Sequence, residues 1–482
     1  DLGVCSCLRI NDIEDFLAQA QMQRPIGADE FESSFAIDRP KQAARHDLAL
    51  ARGRFELSRG NLTSTFSFQQ DFRQEFDVVR NADTAGAQYN FRLLTPELDV
   101  VFEHSPVHLS EHWHLRGSAG VLGTGQIHDY AGLQLIPSYR GIGAGAFATE
   151  RLVGHSTDLE LGVRYDFLSR GAELQKLDFT RLVRSGQIAE TACDTSGDTV
   201  DCQSRYHTVA GSFGFAQRLL SELTLKGDLS IAQRAPNPDE QYINGTAPTY
   251  PVLGLGDPDI KPETSYATSL TLGWASDRVT AEASAFASYI ADYIYFAPAI
   301  DDAGQPIFDV LIRGAFPRFI TRGVDAVFYG ADGGIAAKVL PELELGAQAS
   351  LVRAKNVDDH SFLVFVPPDR YRGSITYRPN DRWRSPRKLF ASVTGTYVTQ
   401  QKRFDIAADF VSPPDAYFLL GAELGFETCF GHQTARFALQ GSNLTNSRYR
   451  DYTSLMRYFA DEPGWQAWAR MTIAFDSKNG HK

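Results

Sequence analysis

The sequence predicts an all-β fold, a transmembrane antiparallel β-barrel, from three observations. Segments of about 9 to 13 residues repeatedly alternate apolar with polar side chains, as half-buried strands do. Short links between these segments alternate with long ones, which places short turns at one end of a barrel and long loops at the other. The mean hydropathy is −0.26, and no run of about 18 apolar residues occurs, which excludes a bundle of transmembrane helices but leaves a barrel open.

The segment 223–231 illustrates the alternation of the strands. Leu225, Leu229 and Ile231 share one face, whereas Lys226 and Asp228 share the other. Charges in the middle of a strand suit a wet lumen behind a lipid-facing surface. Reading the whole chain in this way predicts about 17 strands, which lie near residues 46–56, 61–77, 97–104, 113–127, 144–153, 158–168, 205–217, 223–233, 265–275, 278–292, 318–330, 342–353, 370–379, 389–400, 416–428, 434–446 and 465–475.

The links between strands set the orientation of the chain. The short links include 221–222, 276–277 and 431–432. The long links include 170–205, 233–262, 296–318, 399–416 and 453–464. An odd number of antiparallel strands places the two chain ends on opposite sides of the membrane. We therefore predict a loop-like N-terminal segment (1–45) on the long-loop side, a barrel (46–475) and a tail (476–482) on the short-turn side.

Composition and motifs exclude several classes of function. The 482 residues are 43% apolar, which argues against disorder, and the formal net charge of −12 disfavours a nucleic-acid partner. We find no Gly-x-Ser-x-Gly elbow, no P-loop and no ordered carboxylate pair. The sequence thus predicts a protein that is not an enzyme and needs no cofactor.

A histidine-rich stretch at 103–114 is the only candidate metal site in the sequence. His104, His108, His112 and His114 offer imidazole ligands suited to zinc or nickel. Their spacing matches no defined zinc motif, and the stretch lies at a short turn. We interpret these residues as solvated turn and interfacial side chains and predict no metal site.

The five cysteines fall into three groups. Cys193 and Cys202 flank eight residues inside the longest predicted loop, where an oxidising compartment favours a disulfide. Cys5 and Cys7 are too closely spaced for an easy mutual bond, so either one pairs with another cysteine or both remain thiols. Cys429 lies beside a short turn and is interpreted as structural.

Several motifs form an ordered series from about residue 39 to residue 475. The C-terminal region carries 443–446 (NLTN), 449–452 (YRDY) and 457–464 (RYFADEPG), followed by a strand that ends at Phe475. The earlier motifs are 72–77 (FRQEFD), 159–166 (LELGVRYD), 234–242 (RAPNPDEQY), 256–263 (GDPDIKPE), 312–317 (IRGAFP) and 367–371 (PPDRY). Together they resemble the barrel of a TonB-dependent receptor, the plugged transporters of Gram-negative outer membranes.

The resemblance implies parts that this sequence lacks. Receptors of this family carry a globular plug and a TonB-engaging segment before a barrel of 22 strands. By motif order, the strands here resemble strands six to twenty-two, which implies an extracellular N-terminus and a periplasmic C-terminus. An open sheet edge cannot lie in hydrocarbon. We therefore expect a plug and about five strands on another chain or cleaved fragment, or else closure as a smaller pore of 16 or 18 strands; we favour the first.

The resemblance also implies that the protein imports a scarce solute, such as a ferric siderophore or another metal complex, across a bacterial outer membrane. It further implies that the TonB complex drives this import and that outer-membrane lipid or lipopolysaccharide surrounds the barrel. Aromatic and basic residues of the long loops are the candidates for contact with an anionic chelate. They are Tyr242, Tyr250, Arg313, Phe316, Arg403, Arg457 and Tyr458. The alternative for these residues is an aromatic girdle with arginines paired to loop acids.

Two other functions remain open from the sequence. A plugless barrel can serve as a structural scaffold or passive pore within an envelope complex. A soluble β-rich binding protein is less favoured, because it leaves the charges in the middle of strands and the alternation of short and long links unexplained.

Overall fold

A computed structural model describes residues 12–22, 24–25, 35–77, 85–133, 135–247, 250–311, 314–380, 386–430 and 433–474. Cys5, Cys7, Arg313, the predicted turn 431–432 and the predicted tail 476–482 lie outside these residues.

The described chain is built almost entirely from strands, of which 17 are long and four are short. In chain order they are β1 (Lys41–Leu57), β2 (Gly60–Phe76), β3 (Tyr89–His104), β4 (Val107–His108), β5 (His114–Gly132), β6 (Ser138–Val153), β7 (Thr157–Leu174), β8 (Val200–Arg218), β9 (Leu223–Arg234), β10 (Asn244–Ala247), β11 (Tyr250–Leu255), β12 (Glu263–Ala275), β13 (Val279–Pro298), β14 (Phe308–Leu311), β15 (Gly314–Leu340), β16 (Leu343–Asn356), β17 (Arg370–Tyr377), β18 (Arg387–Val398), β19 (Tyr417–Phe430), β20 (Gln433–Ser442) and β21 (Gln466–Ala474).

Each long strand pairs antiparallel with the next one along the chain. The first hairpin runs in continuous register from Lys41 opposite Phe76 to Leu57 opposite Gly60. The short strands β4, β10, β11 and β14 lie at the ends of the sheet. Strand β4 pairs with β5, β14 pairs with β15, and β11 makes a short parallel pairing with β15. The 17 long strands agree with the predicted number, and the four short ones were not predicted.

The two faces of the sheet differ as the alternation predicts. Leu229, Ile375 and Met471 project from the apolar face with exposed fractions of 59%, 54% and 59%. The opposite face is polar, and loop segments pack against it: Tyr89 on that face donates a hydrogen bond to the carbonyl of Thr246 in β10. The apolar face therefore suits lipid, and the polar face forms the inner wall.

Most predicted strands are shorter than the observed ones. The segments predicted at 97–104, 144–153 and 318–330 extend in the structure over 89–104, 138–153 and 314–340. In the first two strands the added residues lie at the long-loop end, whereas the third gains four residues there and ten at the short-turn end. Alternation fades at the long-loop end because loops cover both faces: Gly314, Ala315 and Pro317 at the start of β15 are all buried.

Three helices lie in the segments between or before the long strands, and none was predicted from the sequence. They are α1 (Ile13–Gln21), α2 (Lys176–Arg184) and α3 (Pro238–Tyr242). Helix α1 begins where the Asp12 carboxylate accepts a hydrogen bond from the backbone N–H of Asp15 at 2.9 Å. In the part of the chain that the structure describes, no helix is both long and apolar enough to cross a membrane.

The sheet has two open edges, β1 and β21. Within the described ranges, β1 pairs only with β2, and β21 pairs only with β20. Both edge strands run from the long-loop end towards the short turns, because an odd number of long strands separates one edge from the other in an up-and-down order. Direct pairing of β1 with β21 would therefore be parallel, whereas all other long strands of the sheet pair antiparallel.

Candidate functional site

The long-loop end of the sheet carries a packed layer of loops, which we call the loop layer. It consists of α1, the segment 299–311 with β14, and the segments 357–369, 399–416 and 443–465. One buried apolar cluster joins residues of these segments to Val252 of β11 and Phe319 of β15; its other members are Phe16, Ala20, Phe410, Val411 and Tyr458. Because these loops bury a shared core, they hold one another in place, and the layer presents a defined surface at the long-loop end of the sheet.

Arg457 lies at the centre of the loop layer and is fully buried. It sits in a turn of 3₁₀ helix, Leu455–Tyr458, whose first N–H groups are capped by the Ser454 hydroxyl. The guanidinium carbon lies 4.4 Å from the ring centroid of Tyr458, 4.7 Å from that of Tyr452 and 5.2 Å from that of Phe365. Three aromatic faces around one desolvated cation are a strong cation–π arrangement.

Asp409 provides the counter-charge for Arg457. Arg457 Nη2 donates to Asp409 Oδ2 and, at 2.9 Å, to the Tyr458 hydroxyl, which itself donates to Asp409 Oδ1 at 2.6 Å. Burial raises the pKa of Tyr458 well above its usual value, so this hydroxyl stays a donor. The triad joins the segment 399–416 to 443–465 through a closed set of polar contacts.

Two donor atoms of Arg457 have no partner. Nε and Nη1 are buried and make no hydrogen bond within the part of the chain described here. A buried guanidinium normally satisfies most of its five N–H groups. Among the described residues the triad is therefore held together but not saturated, and its two remaining donors, buried in the closed layer, are of the kind that bind a carboxylate, phosphate or carbonyl oxygen.

A second basic group joins the loop layer to Arg353 of β16. Arg353 makes a two-pronged ion pair with Asp369, with nitrogen–oxygen distances of 2.5 and 3.0 Å, and Arg403 Nη2 approaches the same carboxylate at 3.3 Å. Two arginines share one acid, so the group carries excess positive charge. The Arg403 side chain is 32% exposed and so remains reachable from solvent.

Helix α1 is docked onto the layer through Phe16. Its ring centroid lies 5.1 to 5.9 Å from those of Phe308, Phe410, Phe459 and Tyr458. At the other end of the helix, the carbonyl of Ala20 accepts a hydrogen bond from Arg450 at 3.3 Å. The segment 1–45, expected to be loop-like, thus contributes a buried helix to the site.

Tyr242 and Phe316 lie in a different buried cluster from Tyr458. Tyr242, the last residue of α3, is buried in one cluster with Leu174, Leu182 and Leu253, and desolvation raises its pKa to about 12. Phe316 packs at the edge of the same cluster. Tyr250 begins β11. Of the seven candidates, the structure brings Arg457 and Tyr458 into one cluster, with Arg403 in the adjoining basic group.

Three residues that complete the site were not singled out from the sequence: Asp409, Tyr452 and Phe16. Tyr452 stands five residues before Arg457 in the aromatic final loop, so the local composition held a signal for it. Asp409 and Phe16 lie 48 and 441 residues away from Arg457 in the chain, and no local pattern links them to it.

A polar cavity lies on the inner wall below the loop layer. It has a volume of about 380 Å³, and its lining includes Arg372, Thr396, Glu423, Gln440 and Tyr449. Hydrogen-bonding side chains of both signs of charge make this part of the wall compatible with a hydrated path.

The disulfide predicted between Cys193 and Cys202 is present, which confirms that prediction. It closes the loop that contains α2 onto the start of β8, where Cys202 is buried beside Leu174, Leu182 and Val200. The loop expected at 170–205 is shorter than predicted, because β7 runs to Leu174 and β8 begins at Val200.

We expect Cys193→Ser combined with Cys202→Ser to destabilise this loop locally. Loss of a cross-link with a sequence separation of 9 removes about 2 to 3 kcal/mol by the chain-entropy relation. Limited proteolysis of the detergent-purified protein should show faster cleavage within 185–199 and unchanged cleavage of the final loop. Equal cleavage rates of the variant and the parent protein would contradict this role.

The four histidines of 103–114 separate into three environments. His104 contacts the Ser105 carbonyl and Glu150, His112 lies at the tip of a hairpin, and His108 and His114 face each other across β4 and β5. Among the residues described, no group of three or more His, Cys, Asp or Glu side chains is arranged to hold a metal ion.

Comparison with known proteins gives one family and many structural neighbours. Residues 31–444 match the family model described as TonB dependent receptor-like, beta-barrel. Similar solved structures are the copper transporter OprC (TM-score 0.66, 15% identity, 88% of this chain and 65% of that one), the siderophore receptor PirA from Acinetobacter baumannii (0.60, 16%, 90% and 62%) and the ferric citrate transporter FecA (0.62, 10%, 89% and 62%). The chain thus spans less than two thirds of the length of these structures, and at these identities the likeness shows the fold.

Proposed function

Because the chain belongs to the family of TonB-dependent receptor β-barrels, whose members are outer-membrane receptors and transporters and not enzymes, we propose that it forms the wall and extracellular loops of an importer. The imported solute is a scarce anionic complex, such as a ferric siderophore or another metal chelate. We propose that the long loops face the medium outside the cell and that the short turns face the periplasm.

The observation that carries this proposal is the basic and aromatic chemistry of the loop layer. Arg457 keeps two unpartnered donors inside an aromatic cage, and Arg353 with Arg403 exceeds the charge of Asp369. Anionic chelates that bear carboxylate or aromatic groups match such a surface through charge-assisted hydrogen bonds and stacking. The polar cavity below the layer supports a route along the inner wall.

In the same proposal, the barrel is closed by strands beyond those described here. Only an odd number of added strands gives antiparallel pairing at both β1 and β21, and five added strands give the family's 22. We propose that these strands arrive with a plug on another chain or cleaved fragment, and that TonB acts through that plug. Purification from the outer membrane of the source bacterium in mild detergent, followed by mass spectrometry, identifies the polypeptide that supplies them.

The import role is tested by deleting the gene in the source bacterium and measuring uptake of labelled ferric siderophores, ferric citrate and copper. We expect uptake of one solute to be lost and to return with the parent gene. Uptake of all solutes at the parental rate would contradict import. A large, constant conductance of the purified complex in planar bilayers would instead support a passive pore or scaffold.

We expect Arg403→Ala to weaken uptake of that solute, with an apparent affinity reduced by about ten- to a hundredfold, because a hydrogen bond to a charged group is worth about 1.5 to 3 kcal/mol. Lys402→Ala is the matched control: its side chain is exposed and next to Arg403 in the chain. If both variants behave like the parent protein, Arg403 does not contact the solute.

A further inference from the structure

The hairpin between β3 and β5, at the short-turn end, places two histidines side by side. His108 in β4 and His114 in β5 are directly opposite each other in an antiparallel ladder. In the next pair along this ladder, the backbone N–H of Leu109 donates to the carbonyl of Trp113 at 2.9 Å. Leu109 and Trp113 are therefore a hydrogen-bonded pair. His108 and His114 are therefore a non-hydrogen-bonded pair, the kind in which opposite side chains come closest.

The separation of the two imidazole rings is compatible with a shared metal ion. Their ring centroids lie 6.0 Å apart with planes inclined by 44°. Metal–nitrogen distances of about 2.0 to 2.1 Å place the centroids of two coordinating imidazoles about 5 to 6 Å apart. Direct stacking of the rings, the other common arrangement for such a pair, needs more nearly parallel planes.

His114 also has a nitrogen that lacks a partner. Its Nε2 atom is buried and makes no hydrogen bond within the described chain. A neutral imidazole nitrogen buried without a partner is costly, and coordination of a cation satisfies it. The nearby His104 differs, because its Nδ1 lies 2.7 Å from the Ser105 carbonyl and its Nε2 lies 3.3 Å from Glu150.

We propose that His108 and His114 bind one divalent transition-metal ion of the Cu²⁺, Ni²⁺ or Zn²⁺ class. Imidazole is a preferred ligand of these ions, whereas Mg²⁺ and Ca²⁺ require oxygen ligands. Water completes the coordination, since no third acidic, histidine or cysteine ligand joins the pair among the described residues. The site lies at the end of the sheet opposite the loop layer and is independent of which solute the loops bind.

The site is tested on the full chain, purified in detergent with any histidine tag removed and stripped of metal with a chelator. Calorimetric titration with Zn²⁺ should give one ion per chain. Cu²⁺ bound at one equivalent should show coupling to two imidazole nitrogens in electron paramagnetic resonance. His108→Ala and His114→Ala should each weaken binding by more than about tenfold, since loss of a direct ligand costs more than loss of an outer-shell partner.

His104→Ala and His112→Ala are the matched controls, because they lie in the same stretch outside the pair. Both should keep the affinity within about twofold and the two-nitrogen spectrum. Equal losses in all four variants would indicate diffuse surface binding and overturn the proposal. Absence of a one-to-one complex in the parent protein would overturn it as well.

A cysteine pair tests the geometry separately from the chemistry. His108→Cys with His114→Cys should form a disulfide on mild oxidation, because opposite side chains of a non-hydrogen-bonded pair lie close to the separation that a disulfide needs. Failure to cross-link would contradict the register on which the site depends. Cross-linking without any metal binding by the parent protein would contradict the metal chemistry alone.

Discussion

Replacing Arg457 with alanine is expected to unfold the loop layer while the barrel wall remains folded. The substitution leaves the Asp409 carboxylate buried without its counter-charge and opens a void between the rings of Phe365, Tyr452 and Tyr458. Breaking a buried ion pair by removing one partner costs about 3 to 5 kcal/mol. The cost falls on the loop layer, because the partners of Arg457 named above all lie in its segments.

Hydrogen exchange measured by mass spectrometry is the direct test of Arg457→Ala. Exchange should become faster in 399–416 and 443–465, with no change in the strands of the first hairpin, and binding of the solute should be lost. Arg448→Ala is the matched control, because Arg448 is exposed in the same loop. Unchanged exchange in both variants would show that the triad does not hold the layer together.

A double substitution separates packing from charge in the same cluster. Asp409→Asn with Arg457→Met removes both charges while keeping similar volumes and an acceptor for the Tyr458 hydroxyl, and it avoids the uncompensated buried charge that a single substitution leaves. We therefore expect this variant to recover much of the protection lost in Arg457→Ala but not the binding of an anionic solute. Recovery of binding would contradict a role for the unpartnered Arg457 donors in recognition.

Replacing Phe16 with alanine should release α1 from the loop layer. The ring is fully buried against four other aromatic rings, and truncating a buried phenylalanine costs about 3 to 5 kcal/mol. An isolated helix of 9 residues is too short to be stable in water, so α1 should unfold once it is undocked.

Protection of residues 13–21 from hydrogen exchange reports on the Phe16→Ala variant. It should fall to that of an unstructured peptide, while Phe16→Leu should retain most of it because leucine keeps much of the buried area. Met22→Ala is the control, since Met22 adjoins the helix and is 41% exposed. Full protection in Phe16→Ala would mean that the remaining contacts of the helix, among them buried Ala20 and the hydrogen bond from Arg450, are enough to hold it.

The fold was predictable from the sequence wherever one face of a strand meets lipid and the other meets water. Leu229 is apolar and Lys226 is charged because the two faces of the strand meet lipid and water, and the same alternation recurs along the strands of the wall. The starts of β3 and β15 were missed because loops replace lipid there and both faces become buried. Helix α1 was missed because it depends on docking through Phe16 more than on its own sequence.

The candidate site was predictable only in part, for a different reason. Arg457 and Tyr458 stand out because a basic and an aromatic residue adjoin each other in a motif-bearing loop. Their role as a buried organising centre depends on Asp409, which reaches them only when two long loops fold together. Tertiary proximity of this kind leaves no periodic signal in one sequence.

The shared direction of β1 and β21 also limits the symmetry of any assembly of this chain with itself. In a ring of identical copies around an axis along the membrane normal, every β1 and every β21 run the same way, so each joint between copies is a parallel one. Homo-oligomers therefore cannot complete the wall with the antiparallel ladder used inside each subunit. The antiparallel closure proposed above therefore takes an odd number of strands from outside the described sheet, and a second copy of that sheet does not supply it.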